Sequence, residues 1–137
     1  MRVLVVGCET SSTDAATSVW HSQRGIEVVG TVGEVFNAFQ ALETELIDAV
    51  VIDMDADPLG GLDLCRFVHR TKPHLFATIC SSDDSKENRT IAESCGAQHF
   101  LAKPVSEADI RGYVGTYRLR SGAQRNGLLS HTKMPQR

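Results

Sequence analysis

Residues 48–61 read Asp-Ala-Val-Val-Ile-Asp-Met-Asp-Ala-Asp-Pro-Leu-Gly-Gly, an apolar run that ends abruptly in Asp53, Asp55 and Asp57. Ala49 to Ile52 contains no polar residue, and Pro58 with Gly60-Gly61 follows closely. That is the pattern of a strand buried on both faces, not of one with a wet side. Such strands belong to parallel sheets, which bind ligands where the loops leave their carboxyl ends. Asp53 therefore stands at the chemically useful end of its strand and is the first candidate for function.

The flanking sequence repeats the pattern. On the amino-terminal side, Val3–Val6 closed by Gly7 reads as a first strand. Ser11 with Asp14 fits a capping box for a helix carrying Ala15, Ala16, Val19 and Trp20 on one face, stopped by Gly25. Ile26–Val32 reads as a second strand, and Val35, Phe36, Phe39 and Leu42 give the stripe of a second helix. After residue 61, Leu64, Cys65 and Val68 mark a third helix ended by Lys72-Pro73, and Leu75–Cys80 is a fourth strand. Ser85–Cys95 reads as a fourth helix with Ile91, Ala92 and Cys95 inward and Gly96 as its left-handed cap. Gln98–Ala102 is a short fifth strand, and a capping box from Ser106 to Asp109 opens a fifth helix with Ile110, Val114 and Tyr117 inward. Five strands alternating with five helices predict a doubly wound α/β fold, because parallel strands require right-handed helical crossovers.

With 137 residues the chain is sized for one core. A net charge of −3 with 23% charged residues gives no overall pull toward nucleic acid or anionic lipid. Cys8, Cys65, Cys80 and Cys95 show no metal-ligand spacing and read as reduced core thiols of a cytoplasmic protein. The Val3–Val6 run is too short for a signal-peptide core or a membrane span. From about Ser121 the periodicity fades, and no acid follows Asp109, whereas Arg118, Arg120, Arg125, Lys133 and Arg137 do. The expected division is a folded unit over 1–119 and a disordered basic tail or linker over 120–137.

Each strand should deliver its last residues to one rim: Gly7, Cys8 and Glu9; Asp53, Asp55 and Asp57; Ser81 and Ser82; Lys103. A carboxylate beside an ammonium and a hydroxyl is suited to accepting a phosphoryl group, the carboxylate attacking while the other two hold the phosphoryl oxygens. A calcium loop over Asp53-x-Asp55-x-Asp57 is excluded, since the required glycine position is Pro58 and the twelfth position is Leu64. His99 lacks a partner at ligand spacing and reads as a surface residue, and Tyr113 and Tyr117 read as packing residues.

On these residues the chain resembles the receiver domain of two-component response regulators, the CheY-like family. The resemblance covers residues 2–118. It rests on Val-Val-Ile-Asp53 with Gly61 eight residues on, on Ser81, on Gly96-Ala97, and on Phe100-Leu101 before Lys103-Pro104. The spacings agree, with 28 residues from Asp53 to Ser81 and 22 from Ser81 to Lys103.

What the resemblance implies is a flavodoxin-like sheet in the order 2-1-3-4-5, with Asp53 as phosphoacceptor, Ser81 as switch hydroxyl and Lys103 as phosphate partner. Phe100 would be the aromatic that moves with the switch, and Lys103-Pro104 would be cis. It also implies a sensor histidine kinase or phosphotransfer protein as donor, and a downstream target engaged through the fourth and fifth helices. Membranes have no place in that scheme, and nucleic acid enters only through an output domain beyond this sequence. Members of the family normally carry two acids after the first strand to hold Mg²⁺, and Gly7 and Cys8 occupy those positions. Any Mg²⁺ site would be left with the side chain of Asp53, the backbone carbonyl of Asp55, water, and Glu9 as a displaced substitute, and would bind weakly. Two alternatives follow. One is an atypical receiver that works as a phosphorylation-independent interaction module. The other is a haloacid dehalogenase-like phosphatase, whose first motif Asp53-Met-Asp55 resembles, but which needs acids after the lysine where only Glu107 and Asp109 remain.

Overall fold

The computed structural model describes residues 1–7, 19–55 and 57–130. Five strands are present: β1 Arg2–Val6, β2 Glu27–Val32, β3 Ala49–Asp53, β4 Phe76–Ser81 and β5 His99–Ala102. They form one parallel sheet in the order β2-β1-β3-β4-β5. Among the described residues four helices connect and follow them: α1 Val35–Thr44, α2 Pro58–Thr71, α3 Lys86–Ser94 and α4 Glu107–Ser130. Val19–His21 is a helical turn before β2; the expected cap of that first helix at Ser11–Asp14, together with Cys8 and Glu9, lies outside the described residues.

The continuous apolar runs are explained by burial on both faces. Along β1, Leu4 and Val6 join Val50, Ile52, Ala77 and Ile79 under α1, α2 and α3. Val3 and Val5 point the other way and join Ala49, Val51 and Phe76 beneath Trp20 and the Ile110, Tyr113 and Val114 face of α4. Successive residues of a strand face opposite sides, so only a central strand needs both sets apolar. β1, β3 and β4 meet that condition, whereas the edge strands β2 and β5 are half-buried.

Three expectations are corrected here. Phe36 is 71% exposed, because α1 turns Ala38 and Leu42 to the sheet instead; a buried alanine lets the helix approach closely, which a phenylalanine stripe would prevent. Ile91 is likewise exposed, while Ala92 and Cys95 are buried beside it. His99 is half-buried, with its ring 5.6 Å from that of Tyr113 and 5.9 Å from that of Phe76. Burial, with the charge of Arg89 adding to it, holds its imidazole below the ordinary range.

In the stretch read as a tail or linker, α4 continues over 120–130 to Ser130. Ala, Gln, Arg and Leu are good helix formers, and they sustain the backbone ladder without an apolar stripe. Burial pushes the Cys65 thiol up to about 12, with Cys95 nearby adding to the effect, in keeping with an inert core residue.

Candidate functional site

The register of the sheet assembles the site. Asp53, the last residue of β3, pairs with Cys80, and the Met54 N–H donates to the Cys80 carbonyl at 3.0 Å. Ser81 ends β4 opposite Ala102, and the Lys103 N–H donates to the Ser81 carbonyl at 2.9 Å. Three adjacent strands thus bring Asp53, Ser81 and Lys103 to one rim, as the spacing predicts. The Lys103-Pro104 peptide is cis, and that turn follows directly on the lysine.

The side chains form a bonded cluster. Lys103 Nζ donates to Asp53 Oδ2 at 2.7 Å and lies 3.0 Å from Asp55 Oδ2. The Ser81 hydroxyl donates to Asp55 Oδ1 at 2.9 Å, and the Ser82 N–H lies 3.1 Å from both oxygens of the same carboxylate. Asp53 Oδ1 accepts the Asp55 N–H at 2.9 Å. Ser81 rather than Ser82 supplies the hydroxyl, and Ser82 contributes its backbone.

Asp53 is 8% exposed. Burial disfavours the charge on Lys103, but the two carboxylates outweigh it and hold the ammonium well above the usual lysine range. Burial also works against the Asp55 carboxylate, and Lys103, the Ser82 N–H and Ser81 together bring it below its ordinary value of 3.8.

The side chain of Asp55 is the feature that reading the residues alone did not place. The sequence assigns a role only to its backbone carbonyl, as a metal donor, whereas the carboxylate turns toward Ser81, Ser82 and Lys103. β3 ends at Asp53, so Asp55 lies in the bend beyond it, where strand alternation no longer fixes the direction of a side chain.

Asp57 has a different task. It caps α2, accepting the Gly60 N–H at 3.0 Å ahead of Pro58 in the first turn. Asp57→Ala is expected to cost about 1 kcal/mol in urea unfolding, and Asp57→Asn almost nothing, since asparagine caps equally well. Phe100 is half-buried on β5 with the Arg89 guanidinium 4.6 Å from the centre of its ring, a cation–π contact.

A divalent cation is a poor fit to these groups as they stand. Mg²⁺ asks for a near-octahedral set of oxygens. Here both carboxylates are committed to one ammonium, and no set of three or more His, Cys, Asp or Glu residues suited to a metal occurs among the described residues. Gly7 offers no side-chain donor.

Comparison with known proteins bears on these observations. The family model described as response regulator receiver domain matches residues 3–114. Protein-glutamate methylesterase/protein-glutamine glutaminase 5 of Anaeromyxobacter dehalogenans is 30% identical over 106 residues, covering 76% of this chain and 29% of that protein. Protein-glutamate methylesterase/protein-glutamine glutaminase 2 of Rhodospirillum rubrum is 26% identical over 106 residues, with the same shares. The chain thus spans less than a third of the length of these relatives. Among solved structures, the signal receiver domain of the putative response regulator NarL from Mycobacterium tuberculosis superposes with a TM-score of 0.75 at 18% identity, covering 85% of this chain and 95% of that one. A CheY-like receiver domain protein from Methanospirillum hungatei gives 0.71 at 18% identity, covering 90% and 97%.

Proposed function

The chain belongs to the response regulator receiver domain family, and from that membership we propose that it serves two-component signalling by accepting a phosphoryl group on Asp53. The observation that carries the reading is the 2.7 Å contact between Lys103 Nζ and Asp53 Oδ2, with the Ser81 hydroxyl tied into the same cluster. An oxygen of Asp53 attacks the phosphorus of a phosphohistidine or a small acyl phosphate. The donor's P–N or P–O bond breaks, its electron pair leaves with the imidazole or carboxylate, and an acyl phosphate forms on Asp53. Lys103 neutralises the charge on the transferred group, and Ser81 with the Ser82 N–H binds its oxygens.

In this reading residues 1–119 are the receiver and 120–137 serve as a tail or linker. The donor is a histidine kinase or phosphotransfer protein, and the target meets α3 and α4, where Ile91 and Leu119 are exposed. A cytoplasmic setting suits that role. Among the described residues no helix is long and apolar enough to cross a membrane.

The test is intact-mass spectrometry after incubation with acetyl phosphate, with and without Mg²⁺. One added phosphoryl group is expected, and none in Asp53→Asn. A native protein that gains no mass under either condition overturns the reading. A second reading, in which the chain is a phosphorylation-independent interaction module, is favoured by one observation: the donors meant for a phosphoryl group already hold Asp55.

A further inference from the structure

The Asp55 carboxylate makes a set of contacts that its place in the chain does not require. Asp55 lies in an exposed turn after β3, and a carboxylate there could be solvated at no cost. Instead its Oδ1 takes the Ser81 hydroxyl at 2.9 Å, the Ser82 N–H lies 3.1 Å from both oxygens, and its Oδ2 lies 3.0 Å from Lys103 Nζ. One hydroxyl, one backbone N–H and one ammonium converge on an anion that sits beside Asp53, two residues back on the same strand end. These are the donors a phosphoryl group on Asp53 would require, and an anionic carboxylate with two oxygens engages all three. We propose that Asp55 is a built-in stand-in for the phosphoryl group, occupying the oxyanion site of the resting protein so that a phosphoryl group must displace it to be held on Asp53.

The proposal rests on Asp53 being the acceptor and says how access to that acceptor is regulated. It makes two statements about the resting chain. The Ser81 hydroxyl and the Lys103 ammonium are already engaged by an anion beside Asp53 before any phosphoryl group arrives. The incoming group also competes with a tethered anion held by three donors, each in a charge-assisted contact with the carboxylate, which costs it affinity.

The test compares native protein, Asp55→Ala and Asp57→Asn. The probe is beryllofluoride, titrated in the presence of Mg²⁺ and followed by the ¹H–¹⁵N resonance of the Ser82 amide; uptake of phosphoryl from acetyl phosphate is measured in parallel. Asp55→Ala is expected to bind beryllofluoride, and to take up phosphoryl, about 10- to 100-fold more readily than the native chain, the range set by loss of one or two charged hydrogen bonds. Its Ser82 amide, with no anion to donate to, should move before any ligand is added. Asp57→Asn removes a nearby charge while keeping the helix cap, so it should behave as the native chain does.

Equal affinities of native protein and Asp55→Ala overturn the proposal while leaving Asp53 as acceptor. An equal gain in Asp57→Asn also overturns it, since the effect would then be general electrostatics. Failure of all three proteins to take up either probe overturns the acceptor reading, and the proposal with it. Retention of native far-UV circular dichroism by Asp55→Ala guards against a folding artefact.

Discussion

Lys103→Met is expected to abolish phosphoryl uptake, by at least about 100-fold, and to destabilise the native chain by about 2–3 kcal/mol at neutral pH. Two carboxylates share this one ammonium, at 2.7 Å to Asp53 and 3.0 Å to Asp55. Methionine keeps the length and the apolar stem but leaves two like charges side by side, one of them almost fully enclosed. Breaking a fully buried pair costs about 3–5 kcal/mol, and the figure here is set lower because the Lys103 side chain is 31% exposed and water screens part of the loss.

The sign of the pH dependence follows from the direction of each shift. Asp55 is held below its ordinary value of 3.8, so its contribution to stability is present above that value and is lost as pH falls through the lowered one. Lys103 is held above its ordinary value of 10.5, so its contribution is complete below 10.5 and is lost as pH rises past the raised one. Urea unfolding at several pH values checks this. The deficit of Lys103→Met relative to the native chain should be full at pH 7 and shrink in acid, as a proton neutralises the Asp55 carboxylate. An unchanged urea midpoint at pH 7 would mean that the cluster carries no net stability.

The sheet and its rim were legible in the sequence because both depend on near-neighbour chemistry. A central strand buried on both faces must be apolar at every position, and Val3–Val6 and Ala49–Ile52 announce it. Helix rotation was less legible. Phe36 and Ile91 fit an inward stripe by spacing, yet small Ala38 and Ala92 take the contact, because the gap between helix and sheet is set by the tertiary packing and not by hydrophobicity along one helix. The Asp53, Ser81 and Lys103 constellation could be read from spacing and from resemblance. The role of Asp55 could not, since it depends on which way a turn side chain points once β4 and β5 have brought their donors alongside.

Gly7 carries the other large prediction, and it bears on the missing acid pair. Restoring an acid there by Gly7→Asp is expected to destabilise the fold and not to build a Mg²⁺ site. Gly7 has φ of 98°, a conformation that L side chains rarely adopt. A Cβ placed on it would lie 2.4 Å from the backbone carbonyl oxygen of Asp53 and 3.3 Å from the Asp53 Cβ. The first of those neighbours is backbone at the end of the central strand β3, held by its pairing with β4, while Gly7 itself is tied to β2 by its N–H donating to the Val32 carbonyl, so neither side can step aside cheaply. Positive φ costs a non-glycine residue about 1–3 kcal/mol, and displacing the β3 terminus adds to it. Gly7→Ala and Gly7→Asp should therefore each lose about 2–4 kcal/mol in urea unfolding, the alanine showing that the penalty belongs to the Cβ and not to the charge. A metal site in Gly7→Asp would reveal itself as stability regained on adding Mg²⁺, since a ligand that binds only the native state raises its stability with concentration. The expected outcome is no such recovery at millimolar Mg²⁺. A Gly7→Asp protein as stable as the native one, and further stabilised by Mg²⁺, would show that the glycine is a simple loss of a ligand rather than a backbone that has moved into the space the ligand would need.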